Sequence, residues 1–141
     1  MGFELYANNC DKAFYGGYGD FFNLRKNIAK CLDKEFGEHY ETLVHCHTKQ
    51  EYSDFDKKAI VIIAKNHLEE NADILDFLFA PDAGGTLNYK TALKIARLLE
   101  GQEELKNKKF TYVAYSNGED YEELRRFLND CYSHRRNVHW R

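Results

Sequence analysis

Residues 73–99 read DILDFLFAPDAGGTLNYKTALKIARLL and join a dense apolar run to the only proline of the chain. Five of the six residues 74–79 are large and apolar, a density typical of a helix that is covered on nearly every side. Pro81 lacks a backbone donor and disfavours the helical conformation at Ala80. We therefore predict a central helix that ends near Phe79 or Ala80.

A second, amphipathic helix is predicted after the turn. Gly84 and Gly85 let the chain adopt positive φ at little cost, and Asn88 is placed to cap the next helix. Gly101 is the expected stop. The apolar residues of this helix form one wide stripe: Ala92, Leu93, Ile95, Ala96, Leu98 and Leu99. The turn is not a calcium-binding EF-hand loop, because Asp82 is the only carboxylate at its ligand positions.

Length and composition indicate one globular domain, residues 1–141. The chain has a mass of 16.6 kDa, 43% hydrophobic residues and 15% aromatic residues, which is well above the composition of disordered chains. The formal net charge of -3 gives no general reason to expect nucleic acid or an anionic membrane as partner. We find no export signal, no segment long enough to cross a bilayer and no Cys-x-x-Cys pair, so we expect a cytoplasmic protein with reduced cysteines.

Hydrophobic periodicity predicts three further helices. The first is expected to be capped by Asp20 and stopped by Gly37. The second is expected to open at Ser53, where the spacing resembles a capping box, and to include the run 60–63. That β-branched run would also suit a buried strand, although we favour helix. The third follows 116–119, a turn with capping-box spacing, and Asn137 is the expected stop.

Three short segments are candidates for strands. Residues 3–7 alternate weakly, 110–115 are rich in residues that favour strands, and 138–140 alternate and could pair with the N-terminal strand. The polar segment 38–51 is expected to be a loop, with a short strand at 42–44 as an option. The predicted fold class is α+β: a mainly helical single domain with a small sheet formed by the chain termini.

A glycine-rich segment leads into the first predicted helix. Gly16, Gly17 and Gly19 could present backbone N–H groups to a phosphate at the helix N-terminus. Against this, Asp20 places a negative charge at the cap, and the segment has neither the Lys-Ser/Thr pair of a P-loop nor the dinucleotide-binding spacing. We favour the alternative, that these glycines let aromatic neighbours pack closely.

A basic cluster lies at the C-terminus. Arg135, Arg136 and Trp140 could hold an anionic or nucleotide-like ligand through ion pairs and stacking. The same cations also suit the C-terminal end of a helix, and Trp140 could belong to the core. Nucleic acid is not favoured, although this patch leaves it open.

Histidines and one cysteine form the only candidate metal site. His39, His45, Cys46 and His47 lie close in sequence, and His67 follows further on. In an extended segment His45 and His47 share one face and Cys46 the other, so three zinc ligands do not easily converge. We predict no metal and no cofactor.

Acidic residues precede the central helix. Asp73 and Asp76 share a helix face with Glu69 or Glu70, so paired carboxylates are conceivable, but a solvated acidic face is the commoner meaning. No nucleophile and base pair is suggested, and no catalytic residue is predicted. A hydrolase-type enzyme would require a cleft that holds at least two of five residues: Asp73, Asp76, Asp82, His67 and His134.

Three short motifs span nearly the whole chain. They are the Gly-Tyr-Gly helix entry within 16–25, the Asp-x-x-Gly turn within 82–95 and the acidic-to-basic segment 120–136. With the Met-Gly start, they resemble a loose set of small uncharacterised bacterial and prophage proteins. Ala83 departs from that pattern, in which a polar residue or a cysteine is expected. The resemblance implies no activity and no site residue; it implies an accessory or inhibitory role.

We therefore expect a non-enzymatic protein-interaction or accessory protein that acts on a host protein. The contact would use aromatic side chains near Tyr15 and Tyr18 or the C-terminal basic patch, because aromatic residues are abundant and catalytic motifs are lacking. The alternative is a binder of a small anionic or nucleotide-like ligand, in which 16–19 and the C-terminal arginines converge on one pocket. A membrane is not expected as partner.

Overall fold

The computed structural model describes residues 2–111 and 118–141. Six α-helices lie in this part of the chain: α1 (Tyr18–Leu32), α2 (Lys34–Glu41), α3 (Lys49–Lys65), α4 (Ala72–Phe79), α5 (Tyr89–Leu99) and α6 (Tyr121–Ser133). The strands are β1 (Gly2–Ala7), β2 (Ala13–Gly17), β3 (Gly85–Leu87) and β4 (Val138–Trp140). Three short 3₁₀ turns span Thr42–His45, Leu68–Asn71 and Glu103–Leu105. The fold is α+β and mainly helical, as predicted.

The four strands form one antiparallel sheet in the order β2-β1-β4-β3. Leu5 of β1 lies between Phe14 of β2 and Trp140 of β4, and Gly85 of β3 is the next residue in that row. Pairing of β1 with β4 joins the two ends of the chain, which confirms the predicted terminal sheet. Strands β2 and β3 were not predicted, because their short sequences contain glycines that weaken a strand pattern.

One core joins the sheet to the helices. Phe3, Leu5 and Ala7 of β1 are buried on alternate positions, as expected for a strand with one covered face. The ring of Phe3 stacks on Phe21 of α1, with 4.9 Å between centroids, and Phe14 of β2 meets Phe127 of α6 at 5.2 Å. These aromatic contacts hold the sheet against α1 and α6.

The single helix predicted between Asp20 and Gly37 is divided into α1 and α2, and both of its predicted ends are wrong. Gly17, not Asp20, is the N-cap of α1, and the Asp20 carboxylate accepts a hydrogen bond from the backbone N–H of Gly17 at 2.8 Å. Asp33 ends α1 and caps α2, so the predicted stop at Gly37 is wrong. Gly37 lies inside α2, where a Cβ would come within 2.7 Å of the backbone N of Lys30. This glycine is required by close helix packing rather than by a chain turn.

The predicted loop at 38–51 is wrong. It contains the end of α2, a 3₁₀ turn and the start of α3. Thr48 and Glu51 form a capping box, in which each side chain accepts a hydrogen bond from the other residue's backbone N–H, so α3 begins before Ser53. The run 60–63 is helical, as we favoured.

The central turn follows the sequence prediction closely. Helix α4 ends at Phe79. The Asn88 side chain caps α5, because its Oδ1 accepts a hydrogen bond from the backbone N–H of Lys90 at 2.8 Å. Gly101, with φ of 85°, follows α5. The turn itself also contributes β3, because Gly85 has no side chain and the indole of Trp140 lies directly against it.

The last helix is capped by Asp120, whose carboxylate accepts a hydrogen bond from a backbone N–H at 2.7 Å. Most of the predicted strand 110–115 and half of the predicted turn 116–119 lie outside the described residues. Helix α6 ends at Ser133 and Arg135 adopts the left-handed conformation with φ of 52°, so the predicted stop at Asn137 is wrong. No α-helix in the described residues is long and apolar enough to span a membrane.

Candidate functional site

The glycine-rich segment is a strand end joined directly to a helix. Gly16 and Gly17 lie in β2, where they pair with Phe3 and Gly2 of β1. A Cβ at Gly16 would come within 2.8 Å of the Phe3 ring, so this glycine is needed for packing. Gly19 lies exposed in the first turn of α1. Because the Asp20 carboxylate already accepts the Gly17 N–H, a phosphate at this position would face a negative charge.

Trp140 is a core residue and is not available for stacking on a ligand. Its side chain is only 3% exposed, and its Nε1 donates a hydrogen bond to the carbonyl oxygen of Pro81 at 2.9 Å. The ring also packs edge-on against Phe77, with 5.4 Å between centroids. The prediction that Trp140 binds a ligand is therefore corrected. Trp140 lies in β4, and its hydrogen bond to Pro81 connects the central turn to the sheet.

The two halves of the predicted anion pocket lie at opposite ends of β1. Gly17 pairs with the first residue of β1, whereas Val138, two residues after Arg136, pairs with the last. These ends are five residue steps apart along the strand, about 17 Å. Arg135 is exposed and Arg136 is half-buried at the far end. The structure does not bring the glycines together with Arg135 and Arg136 in one pocket.

The histidines are dispersed over the surface and the core. His39 is buried, its ring stacks on Phe55 with 4.3 Å between centroids, and its Nε2 is 2.9 Å from the Phe55 carbonyl oxygen. Within 2–111 and 118–141, no group of three His, Cys, Asp or Glu side chains is placed to hold a metal ion. Ring stacking and the contact with the Phe55 carbonyl oxygen together account for the position of His39.

A cleft of about 370 Å³ does hold two of the carboxylates named for an enzyme, Asp73 and Asp76. Asp73 accepts hydrogen bonds from Lys94 Nζ at 2.6 Å and from Thr91 Oγ1 at 2.8 Å. Burial raises the pKa of Asp73, but these hydrogen bonds outweigh burial and lower it overall. A carboxylate stabilised in this way is a weak base, and the described lining residues include no His, Cys or Ser. The Thr91 hydroxyl donates to Asp73, but that carboxylate is already paired with Lys94 and is therefore a poor base for activating it.

A different cavity, which we call the α3 groove, has about 410 Å³ between α1, α2, α3 and the turn after α4. Phe22, Tyr40 and Leu78 line its inner part, and Tyr40 and Leu78 are almost fully buried. Its outer part is formed by three exposed side chains: Val44, Tyr52 and Phe79. The volume lies within the range of pockets that bind ligands or partner side chains, about 300–1,000 Å³.

Aromatic packing holds the groove in shape. Phe79, at the end of α4, lies 5.8 Å from Tyr40 and 6.4 Å from Phe55 between ring centroids, yet remains 42% exposed. Tyr40 stacks on Phe22 and donates a 2.7 Å hydrogen bond to the carbonyl oxygen of Leu78. Burial raises the pKa of Tyr40 to about 12, so its hydroxyl stays protonated and donating at neutral pH.

A buried arginine fixes the turn that forms one side of the groove. Arg25 is 4% exposed, and its Nη1 donates to the carbonyl oxygen of Ala80 at 2.8 Å and to Asp82 Oδ1 at 3.1 Å. Its guanidinium lies 4.0 Å from the ring centroid of Phe21, a cation–π contact. Burial lowers the pKa of Arg25, but not enough to remove a charge that ordinarily persists in proteins. Arg25 thus clasps the α4–β3 turn to α1.

An exposed stripe on α3 continues the groove. Tyr52 and Asp56 line the groove, and Ile60 follows at the next position of the same i, i+4, i+8 series. Ile60 is 66% exposed. Val61 is equally exposed at 63%, but nine residues of helix place it about 180° around α3 from Tyr52.

This surface was not predicted from the sequence. The run 60–63 was expected to be helical, with a buried strand as the alternative. A signal was present, because 59–64 are six consecutive apolar residues and one buried helix face cannot hold them all. In the structure Ala59 and Ile62 are buried, whereas Ile60 is exposed.

No protein-family model, no curated protein sequence and no solved structure matches this chain. The resemblance to small prophage proteins therefore stays a prediction. The α3 groove and the stripe beside it are the features from which a function can be argued.

Proposed function

We propose that this protein is a non-enzymatic interaction protein that binds another protein through the α3 groove and the adjoining stripe. One observation carries the proposal. Eight large apolar side chains are exposed in the described residues, and four of them lie at this site: Val44, Tyr52, Ile60 and Phe79. Clusters of exposed apolar side chains around a concave surface mark interaction sites more often than scattered ones do.

The other exposed side chains form no comparable cavity-lined cluster. Tyr15 and Tyr18, which the sequence analysis favoured, are exposed beside the junction of β2 and α1. Neither residue lines the α3 groove. We give the groove priority because it can enclose a side chain of the partner.

The energy available from this surface suits a contact of moderate strength. Fully burying a large apolar side chain contributes roughly 1.5–3 kcal/mol. Tyr52 and Phe79 are about half exposed and Ile60 about two-thirds, so covering them would contribute on the order of 1 kcal/mol each. A partner side chain that fills the groove would add a similar amount or more. This supports reversible binding rather than a permanent assembly.

The sequence and the cysteine chemistry support a cytoplasmic partner. The four cysteines are unbridged, which is typical of proteins in reducing compartments. The resemblance to small prophage proteins favours a host protein as the partner and an accessory or inhibitory role. The pairing of Asp73 with Lys94 lowers the pKa of that carboxyl and makes it a weak base, which favours binding over catalysis in the carboxylate cleft.

Site-specific photo-crosslinking tests the proposal. A benzoylphenylalanine probe replaces Tyr52, and in a matched control it replaces Val61, which is as exposed as Ile60 and lies on the opposite side of α3 from Tyr52. In cells of the source organism, we expect a discrete cross-linked protein from position 52 only. Adding Ile60→Lys should abolish that product, whereas adding Val61→Lys should not. Equal products from both probe positions, or none from position 52, would refute the proposed site.

A further inference from the structure

The charges at the α3 groove favour a cationic partner. Among the described residues that line the groove, only Arg25, Asp56 and Asp82 are charged. The Arg25 side chain is almost wholly covered and already paired with Asp82. Asp56 and Asp82 are exposed, and Asp82 uses only Oδ1 in that ion pair. A partner protein that occupies the groove therefore contacts aromatic and aliphatic side chains inside it and two carboxylates at its rim.

We propose that the α3 groove docks an amphipathic helix of a partner protein that carries Lys or Arg beside its apolar face. An apolar anchor of the partner enters between Tyr52 and Phe79, and the basic residues lie next to Asp56 and Asp82. This inference rests on the proposed function and specifies the chemistry of the partner.

The walls of the groove explain why a helix is the fitting occupant. They are formed by side chains of α1, α2, α3 and α4 and by the turns at 42–45 and 80–82, and none of the four described strands lines the groove. An extended strand binds by pairing with a free sheet edge, and the groove lies on helices instead. A helix packs through side chains alone, with its ridges between those of its neighbour.

The length of the apolar stripe sets the length of the partner segment. Tyr52 and Ile60 are eight residues apart on α3, about 12 Å along its axis. A partner helix that lies along this stripe makes contact over two to three turns. Its anchors are then expected at positions such as i, i+4 and i+7.

The rim carboxylates are expected to make the groove prefer a basic partner helix over an acidic one, but to contribute only a small part of the binding affinity. An exposed ion pair contributes about 0.2–1 kcal/mol, which corresponds to roughly a 1.4- to 5-fold change in Kd. Such contacts are screened by salt, since the Debye length is about 8 Å at physiological ionic strength. Binding should therefore weaken as salt is added, while the apolar part of the contact persists.

A display selection with the full chain tests the inference. The probe is a library of 18-residue helical peptides, selected on the wild-type protein and counter-selected on Ile60→Lys. We expect the enriched peptides to share apolar anchors at helical spacing and to carry more Lys and Arg than Asp and Glu. The best peptide is then synthesised and its Kd measured by fluorescence anisotropy at low and at physiological salt.

Two matched charge reversals complete the design. Asp56→Lys replaces a carboxylate at the groove, and Asp54→Lys replaces an exposed carboxylate two residues earlier, about 160° away around α3. We expect the first to raise the Kd of the basic peptide about fivefold or more and the second less than twofold. Both positions are exposed, so melting temperatures should stay close to wild type and verify folding.

Each outcome is decisive. Enrichment of acidic peptides, no enrichment over the counter-selection, or equal effects of the two reversals would overturn the basic-helix inference. A cross-link from position 52 would still support the proposed function in those cases. Absence of that cross-link together with failure of the selection would refute both the proposed function and the basic-helix inference.

Discussion

Gly85→Ala is expected to disrupt the junction between β3 and β4. A Cβ at Gly85 would lie 2.6 Å from Cη2 and 2.8 Å from Cε2 of Trp140, where ordinary contacts are 3.4 Å or more. The indole cannot swing aside freely, because its Nε1 donates to Pro81 and its ring packs against Phe77. The strand or the ring must therefore move.

The expected loss follows from these contacts. Forcing an extra methyl group into a packed site costs about 1–3 kcal/mol. If the ring moves, the hydrogen bond from Trp140 to Pro81 is also lost, which costs about 1 kcal/mol. We therefore expect Gly85→Ala to lower the free energy of unfolding by about 3 kcal/mol. Gly19→Ala is the matched control, because a Cβ there meets no atom within 4 Å.

Urea denaturation followed by tryptophan fluorescence measures the effect. Trp140 is the only tryptophan and is buried, so its emission reports unfolding at the site of the change. With a denaturant slope of about 2 kcal/mol/M, a loss of 3 kcal/mol moves the midpoint down by about 1.5 M. Gly19→Ala should leave the midpoint unchanged or raise it slightly.

A double-mutant cycle shows whether the indole is the cause. In a Trp140→Leu background, followed by circular dichroism, Gly85→Ala should cost less than about 1 kcal/mol because the ring is gone. A full penalty in that background would show that the clash is not with Trp140. A midpoint for Gly85→Ala that matches Gly19→Ala would refute the close packing of β3 against the ring.

Three further predictions concern Arg25, the ion pair of Asp73 with Lys94, and the thiol of Cys131. In urea titrations, Arg25→Ala should lower the free energy of unfolding by about 3 kcal/mol, and Arg25→Met, which keeps the packed stem, by about 1 kcal/mol; equal losses would contradict a role for the stem. Burial raises the pKa of Asp73, but Lys94 lowers it overall from 3.8, so its stabilisation is present above that pH and lost as the pH falls through the lowered value. Asp73→Asn should cost under about 1 kcal/mol at pH 7 and flatten the acid limb of a stability–pH curve, and an unchanged limb would contradict the pairing. Burial raises the pKa of Cys131 to about 12, so mass spectrometry after iodoacetamide treatment at pH 8 should find it alkylated more slowly than Cys46.

Local signals explain which parts of the fold could be predicted. Pro81 ends α4 and Asn88 starts α5 because a missing donor and a capping oxygen act within one helical turn. Asp33 was missed as the break between α1 and α2, although its carboxylate caps α2 by the same mechanism. The prediction relied on Gly37 instead, and tertiary contact with α1 keeps that glycine inside a helix.

The predicted binding residues depended on contacts that local sequence does not contain. Gly16 is buried because Phe3 of the neighbouring strand lies against it, and Trp140 is buried because Gly85 leaves room for its ring. A glycine-rich segment and a terminal tryptophan look the same in sequence whether they bind a ligand or complete a core. Only the pairing of distant strands distinguishes the two cases.

The sequence by itself determined the helical class, the termini of the central helices and the strand character of the chain ends, because capping, proline and alternation are read over a few residues. Only the tertiary structure decided which apolar side chains are covered. One face of α3 packs against the rest of the protein. Ile62 lies on that face and is buried, whereas Ile60 of the same apolar run is exposed. That outcome depends on what packs beside the helix, and it places the candidate binding surface.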